Sequence, residues 1–252
     1  MKLSFVIPSF QDDRILETIE SIKTINAPIN SIEIIVQDGG SKEELLSKIK
    51  DLLTANDRLI VEKDFGIFDG INRGLKNASG DLIATLGTDD RVVFLDYYLL
   101  LSKFNQGFNF IQFDIEYTDA EWNPIRFWKA RKLSIIEYVL GVQHAHFGLI
   151  CAPEIYEDLG YFNIKNKVNA DYEFFYKCIF HNKSLIKQAI ISQVFVQMKL
   201  GGNSSSNLKA IIYANFNLLK FMIRTNPILI FGLILKPFYK INEVLISRYR
   251  IR

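Results

Sequence analysis

From Leu3 to Leu86 the chain alternates brief runs of Ile, Val and Leu with longer stretches whose apolar residues recur every three or four positions. The runs Leu3 to Ile7, Ile32 to Val36, Leu59 to Glu62 and Leu82 to Leu86 have the length of buried strands and end at polar residues or glycine. Between them, Ile15, Leu16, Ile19 and Ile22 lie at helical spacing. Ser41 with Glu44 reads as a capping box ahead of Leu45, Leu46, Ile49, Leu52 and Leu53. Strand, helix, strand in this order builds a parallel sheet covered by helices on both faces, so the fold class is α/β.

After Asp90 the alternation loosens. Leu95 to Phe104 reads as helix, Phe108 to Ile115 as strand, and Asn123-Pro124 as the turn of an antiparallel excursion, which makes a mixed sheet edge. Leu133 to Leu140 and Asp171 to Phe180 read as helices, and Leu185 to Gln197 as a further strand. Gly201-Gly202 opens a polar loop. The expected organisation is a domain over 1–207, with halves 1–90 and 91–207, and a helical extension over 208–252.

Composition narrows the class. With 30 Lys+Arg against 28 Asp+Glu the formal charge is +2, too near neutral for a polyanion binder, and no nucleic-acid partner is expected. Cys151 and Cys178 are too few for a disulfide scaffold or a Cys-rich zinc site, which suits a reducing compartment. Met1 to Phe10 carries one Lys and meets Pro8 before a signal-length apolar run develops, so a cytosolic-facing protein is expected.

In an open α/β sheet, ligands gather at the carboxyl ends of the strands. Here those ends are acidic: Pro8-Ser9-Phe10-Gln11-Asp12, Asp38-Gly39-Gly40-Ser41, Asp64 with Gly66, and Thr88-Asp89-Asp90. Neighbouring strands lie about 4.8 Å apart, so the carboxylates converge on one rim. Such a rim repels a phosphorylated ligand unless a cation lies between, and Mg²⁺ or Mn²⁺ suits carboxylate and phosphate oxygens together.

The ordered series Val6-Ile7-Pro8-Ser9-Phe10, Ile34 to Ser41, Glu62 to Gly74, Ser79-Gly80-Asp81 and Leu86 to Asp90 resembles family 2 glycosyltransferases of the GT-A fold, above all bacterial enzymes that build surface polysaccharides. The likeness covers about residues 1–205. It implies a GT-A sheet and a nucleoside diphosphate sugar donor, with UDP favoured. Pro8, Ser9 and Phe10 would lie along the nucleotide, Asp38 would meet the uracil ring, and Asp64 the nucleotide and sugar. Asp89 would contact nucleotide or sugar and Asp90 the divalent metal, although Thr88 stands where a strict DXD motif has its first acid. Asp171, at the start of a helix, matches the catalytic base. Arg73 matches a phosphate contact, His146 an acceptor or diphosphate contact despite Phe147 after it, and Gly202 part of a Gly-Gly-x-Ser loop.

Plain structural alternatives stay open: Phe10 as core, Asp64 and Asp171 as helix caps, His144 and His146 as packed histidines, and Arg73 on a solvated helix face. No G-x-G-x-x-G, P-loop, H-E-x-x-H or G-x-S-x-G pattern is present, which disfavours dehydrogenases, NTPases, zincins and hydrolases. The expected activity is inverting transfer to a glycan or lipid-linked acceptor; the alternative is a non-catalytic nucleotide-sugar-binding or membrane-docking subunit. Pro227 to Leu235 is too short to span a bilayer, yet with Phe231, Phe238 and Tyr239 and the cations Lys236, Lys240, Arg248, Arg250 and Arg252 it suits the inner face of the plasma membrane. Packing on the domain or on a second copy is the competing reading. Donor sugar, acceptor, linkage and self-association stay open.

Overall fold

The computed structural model describes residues 1–181, 184–200, 208–238 and 241. Strands β1 (Leu3–Ser9), β2 (Ile32–Asp38), β3 (Arg58–Val61) and β4 (Leu82–Thr85) pair in parallel in the order β3-β2-β1-β4. Helices α1 (Ile15–Lys23), α2 (Glu43–Leu52) and α3 (Ile67–Asn77) join them. Ile15, Ile19 and Ile22 of α1 have no solvent exposure, and burial of each side chain contributes about 2 kcal/mol. On the other face, Gly74 lets α3 lie close to β1: a Cβ there would stand 2.3 Å from Val6 Cγ1.

The capping box at Ser41 does not form. Helix α2 starts one residue later than expected, with Lys42 as an N-cap that makes no side-chain bond. The Ser41 hydroxyl instead donates to the buried Asp38 carboxylate at 2.7 Å, and its oxygen accepts the Gln11 N–H at 2.7 Å in place of a helix N–H.

Beyond β4 the sheet continues with mixed pairing. The elements are β5 (Asp90–Val92), α4 (Tyr97–Asn105), β6 (Phe110–Thr118), β7 (Pro124–Trp128), α5 (Ile135–Val139), β8 (Leu149–Cys151), α6 (Pro153–Leu159), α7 (Ala170–Phe180), β9 (Gln188–Lys199) and α8 (Leu208–Thr225). Strand β8 runs antiparallel between β4 and β6, β9 is parallel to β6, and β5 closes the order antiparallel to β9. The β6-β7 hairpin is the antiparallel excursion expected at Asn123-Pro124. Strands β5 and β8, three residues each, are too short to show a period and are absent from the pattern reading.

One core cluster lies under α1 and α2; the other gathers Val6, Ile71, Phe162, Phe174 and Phe175. The second also takes Leu218 and Met222 from α8 and Leu229 from the short turn Pro227–Leu229. Phe221 meets the rings of Tyr172 and Tyr176 edge-on at 6.1 and 5.3 Å. The helical stretch at 230–238 crosses next to α5 with Gly141 and Gly232 backbone to backbone, where a Cβ on Gly141 would sit 2.2 Å from the Gly232 carbonyl oxygen. Packing on the domain is thus observed for the C-terminal segment. Its other side leaves Ile212, Phe216 and Ile223 exposed, and after them Phe231, Ile234 and Phe238. Gly202, Tyr239, Lys240, Arg248, Arg250 and Arg252 lie outside the described residues.

Candidate active site

The loop leaving β1 ties together two carboxylate clusters at the strand ends. In the first, Ser9 is in register with Asp38 on β2, and Phe10 follows it with 63% of its surface exposed, so it is not a core residue. Asp38 is wholly buried. Its Oδ1 accepts the N–H groups of Gly40 and Ser41 at 2.9 and 2.6 Å, and its Oδ2 accepts the Ser41 hydroxyl. In this arrangement the carboxylate organises the turn and presents no open face. Asp64 Oδ1 accepts the Gly66 N–H at 2.9 Å, while Oδ2 fills space that only glycines leave: a Cβ at Gly39 would stand 3.0 Å from it and one at Gly70 3.1 Å. Gly70 also faces Pro8. Pro8, Phe10, the turn after Asp38 and Asp64 therefore pack together at the strand ends. Ser9 Oγ, 4% exposed, is buried there with no hydrogen-bond partner among the described residues.

In the second cluster, Arg14 bridges two acids. Its guanidinium donates to Asp12 at 2.7 and 2.8 Å and to Asp89 at 3.0 Å. The Thr88 hydroxyl also donates to Asp12. Burial alone would push the Asp12 carboxyl up, but the hydrogen bonds from Arg14 and Thr88 hold it below the usual range. The Asp12 hydrogen bond likewise raises Arg14. Asp90 is 2% exposed and its Oδ2 accepts the Gly87 N–H at 2.6 Å. Burial pushes its carboxyl up to about 7, against the Gly87 hydrogen bond and with help from the neighbouring Asp89 charge.

Among the described residues no group of three His, Cys, Asp or Glu side chains could hold a metal ion alone. A Mg²⁺ or Mn²⁺ shared between one or two carboxylates and diphosphate oxygens needs no such group. Asp89 and Asp90 fit that arrangement. Both reach the space beside Gly87, where a Cβ would stand 3.2 Å from Asp89 Oδ1 and 3.1 Å from Asp90 Oδ2.

Asp171 is the second residue of α7 rather than its cap, which is Asn169. It is half-buried, accepts the Tyr172 N–H at 2.8 Å, and burial raises its carboxyl above the ordinary value while the charge of Lys236 pulls it back. Helix α7 is tied to α3 through Phe162, which packs on Phe174 with ring centroids 5.2 Å apart. The Asn72 side chain of α3 clamps the Phe162 backbone, donating to its carbonyl at 2.8 Å and accepting its N–H at 2.9 Å. His146 lies edge-on to Phe162 at 4.6 Å and 3.3 Å from Thr85 Oγ1, and burial lowers it to about 3. His144 bonds Gln112 at 3.2 Å and burial lowers it to about 4, so both rings are neutral at pH 7. Arg73 is taken by Glu62 and Asp69 at 2.5 and 3.0 Å.

Arg14 and Asn72 escape the pattern reading, and Asp12, one of the rim acids, gives no sign there of its guanidinium partner. Arg14 lies at a helix start among polar neighbours, and only the fold sets it against Asp89, 75 positions on.

Residues 4–153 match the family described as glycosyl transferase family 2. The chain belongs to that family. Among relatives of this family 2 member, a PGL/p-HBAD biosynthesis glycosyltransferase of Mycobacterium bovis is 25% identical over 178 residues, 69% of this chain and 68% of the relative. A GalNAc(5)-diNAcBac-PP-undecaprenol beta-1,3-glucosyltransferase of Campylobacter jejuni is 31% identical over 112 residues, 42% of this chain and 36% of the relative. Two solved structures show the fold to be GT-A. Residues 1–349 of S. aureus TarS in complex with UDP superpose with a TM-score of 0.62 at 17% identity, covering 87% of this chain and 66% of that one. The mannosyltransferase PcManGT of Pyrobaculum calidifontis, in complex with GDP-Man and Mn²⁺, gives 0.63 at 14% identity, covering 98% and 73%. In a second, longer S. aureus TarS structure the chain spans 40% of that chain.

Proposed function

We propose that this family 2 member is an inverting, divalent-metal-dependent glycosyltransferase that moves a sugar from a UDP-sugar to a hydroxyl of a lipid-linked glycan in bacterial surface polysaccharide synthesis. The observation that carries the reading is the β1-α1 loop, which leaves Phe10 exposed beside the buried Ser9 and at its far end ties Asp12 to Asp89 through Arg14. Residues 1–90 hold the donor: Phe10 stacks on the base, Ser9 and Pro8 line the ribose, and Asp38 meets the uracil N–H once the turn at Gly40 opens. Asp64 and Asp89 orient ribose and sugar. Asp90, with Asp89, would hold the metal, which when bound neutralises charge on the leaving diphosphate. Residues 91–207 hold the acceptor. Asp171, made more basic by burial, takes the acceptor hydroxyl proton as the oxygen attacks the anomeric carbon opposite the diphosphate, which inverts configuration. His146, neutral, and Gly202 flank the acceptor, and Arg73 reaches phosphate only by leaving Glu62.

A thermal-unfolding screen of nucleotide sugars with and without Mn²⁺ tests this. At a hundredfold excess over Kd a ligand adds about 2.7 kcal/mol to the native state, so a UDP-sugar with Mn²⁺ should raise the midpoint by several degrees, beyond any GDP-sugar. Equal or absent responses would remove the UDP assignment.

The protein works at the cytoplasmic face of the plasma membrane. No helix among the described residues is long and apolar enough to cross a membrane. The support for peripheral contact is the outward row Phe231, Ile234 and Phe238, 64 to 67% exposed. Changing all three to Ser should cut partition onto anionic vesicles at least about a hundredfold and leave the midpoint unchanged, since none is in the core. Undiminished flotation would show that this row does not touch lipid.

A further inference from the structure

The acceptor side carries a basic groove that the donor chemistry does not use. Lys129, Arg131, Lys132, Ser134, Ile136 and Glu137 line a cavity of about 550 Å³ between β7 and α5. Three cations face one carboxylate, and that carboxylate, Glu137, pairs with Arg131 at 3.4 Å. Lys129 and Lys132 are exposed and have no acidic partner among the described residues. Beside them α5 exposes Ile136 at 72% and Ile135 at 41%, with Leu140 just past its end at 39%.

A groove with surplus positive charge and an apolar rim matches an amphiphile whose head is a phosphate. Its surroundings say where that amphiphile lies. Gly141, next to Leu140, touches Gly232, next to Phe231, so the exposed Leu140 and Phe231 each lie one residue from this crossing. The same piece of structure is bound to the helix of the candidate base. The Tyr138 ring stacks on Tyr172 at 4.6 Å and its hydroxyl donates to the Tyr172 carbonyl at 2.7 Å.

We infer that the groove binds the phosphate headgroups of anionic bilayer lipids, and that α5 and the C-terminal stretch together form one membrane-facing surface beside Asp171. The inference rests on the membrane part of the proposed function. It adds a headgroup site within the acceptor half, where the C-terminal segment alone would predict none. Each Lys near an anionic surface is worth about fivefold in partition, so removing two should weaken binding about 30-fold.

Vesicle flotation of the full chain, on phosphatidylcholine alone and on phosphatidylcholine mixed with phosphatidylglycerol, reads the effect. The parent and Lys129→Arg/Lys132→Arg should float with the anionic vesicles only. Lys129→Ala/Lys132→Ala should lose about 30-fold in partition, with UDP affinity and unfolding midpoint unchanged. If the Ala pair floats like the parent, the groove does not bind lipid and the membrane reading survives on the C-terminal row. If the Arg pair fails as the Ala pair does, charge is not what the groove supplies and the inference falls. If the parent itself stays unbound, the membrane reading has failed first.

Discussion

Asp171→Asn should lower transfer about 10²- to 10⁴-fold, the usual loss for a positioned base, while UDP binds with unchanged affinity. The amide keeps the size of the carboxyl but cannot take the acceptor proton. Because burial raises the Asp171 carboxyl, the acid limb of kcat/KM should lie above the range of an exposed carboxylate. Lys236 works against that shift, so Lys236→Met should move the limb to still higher pH. Single-turnover rates on the native acceptor, with UDP affinity by calorimetry, check both. Undiminished turnover of the Asn variant would take Asp171 out of the mechanism.

Chelation and Asp90→Ala should each reduce transfer by orders of magnitude and weaken UDP, and the two effects should not add, since both empty the same place on the diphosphate. Asp90 binds a proton below about pH 7 in the free protein, so Mn²⁺ must displace it and its affinity should fall as pH drops through that value. The effect on stability has the opposite sense. A carboxyl raised from 3.8 to about 7 favours the native state fully below 3.8, and that contribution is lost as pH rises through 7. Asp90→Asn should therefore raise the unfolding midpoint at pH 8 and leave it unchanged near pH 3.5. Full activity in excess EDTA would move charge neutralisation from a metal to Arg14.

The parallel half was legible in the sequence because each of its strands is a run of Ile, Val and Leu bounded by a turn, and α1 and α2 carry a clear apolar face. The mixed half beyond β4 was less so. Strands β5 and β8 draw their stability from partners far along the chain, Val92 beside Val196 and Ile150 beside Ile111, and three residues carry no period. The acids of the candidate site could be picked out because polar residues after a buried strand stand apart from it. What they bond to could not. The sequence suggests Ser41 as a helix cap, and the fold gives its hydroxyl to Asp38; it suggests an uncompensated acidic rim, and the fold sets a guanidinium into it.

That guanidinium changes how a donor arrives. With Arg14 held between Asp12 and Asp89, the mouth of the free site carries less negative potential than its sequence suggests. An incoming nucleoside diphosphate sugar therefore meets little long-range repulsion on its way to the strand ends, and its capture rate should vary only weakly with ionic strength.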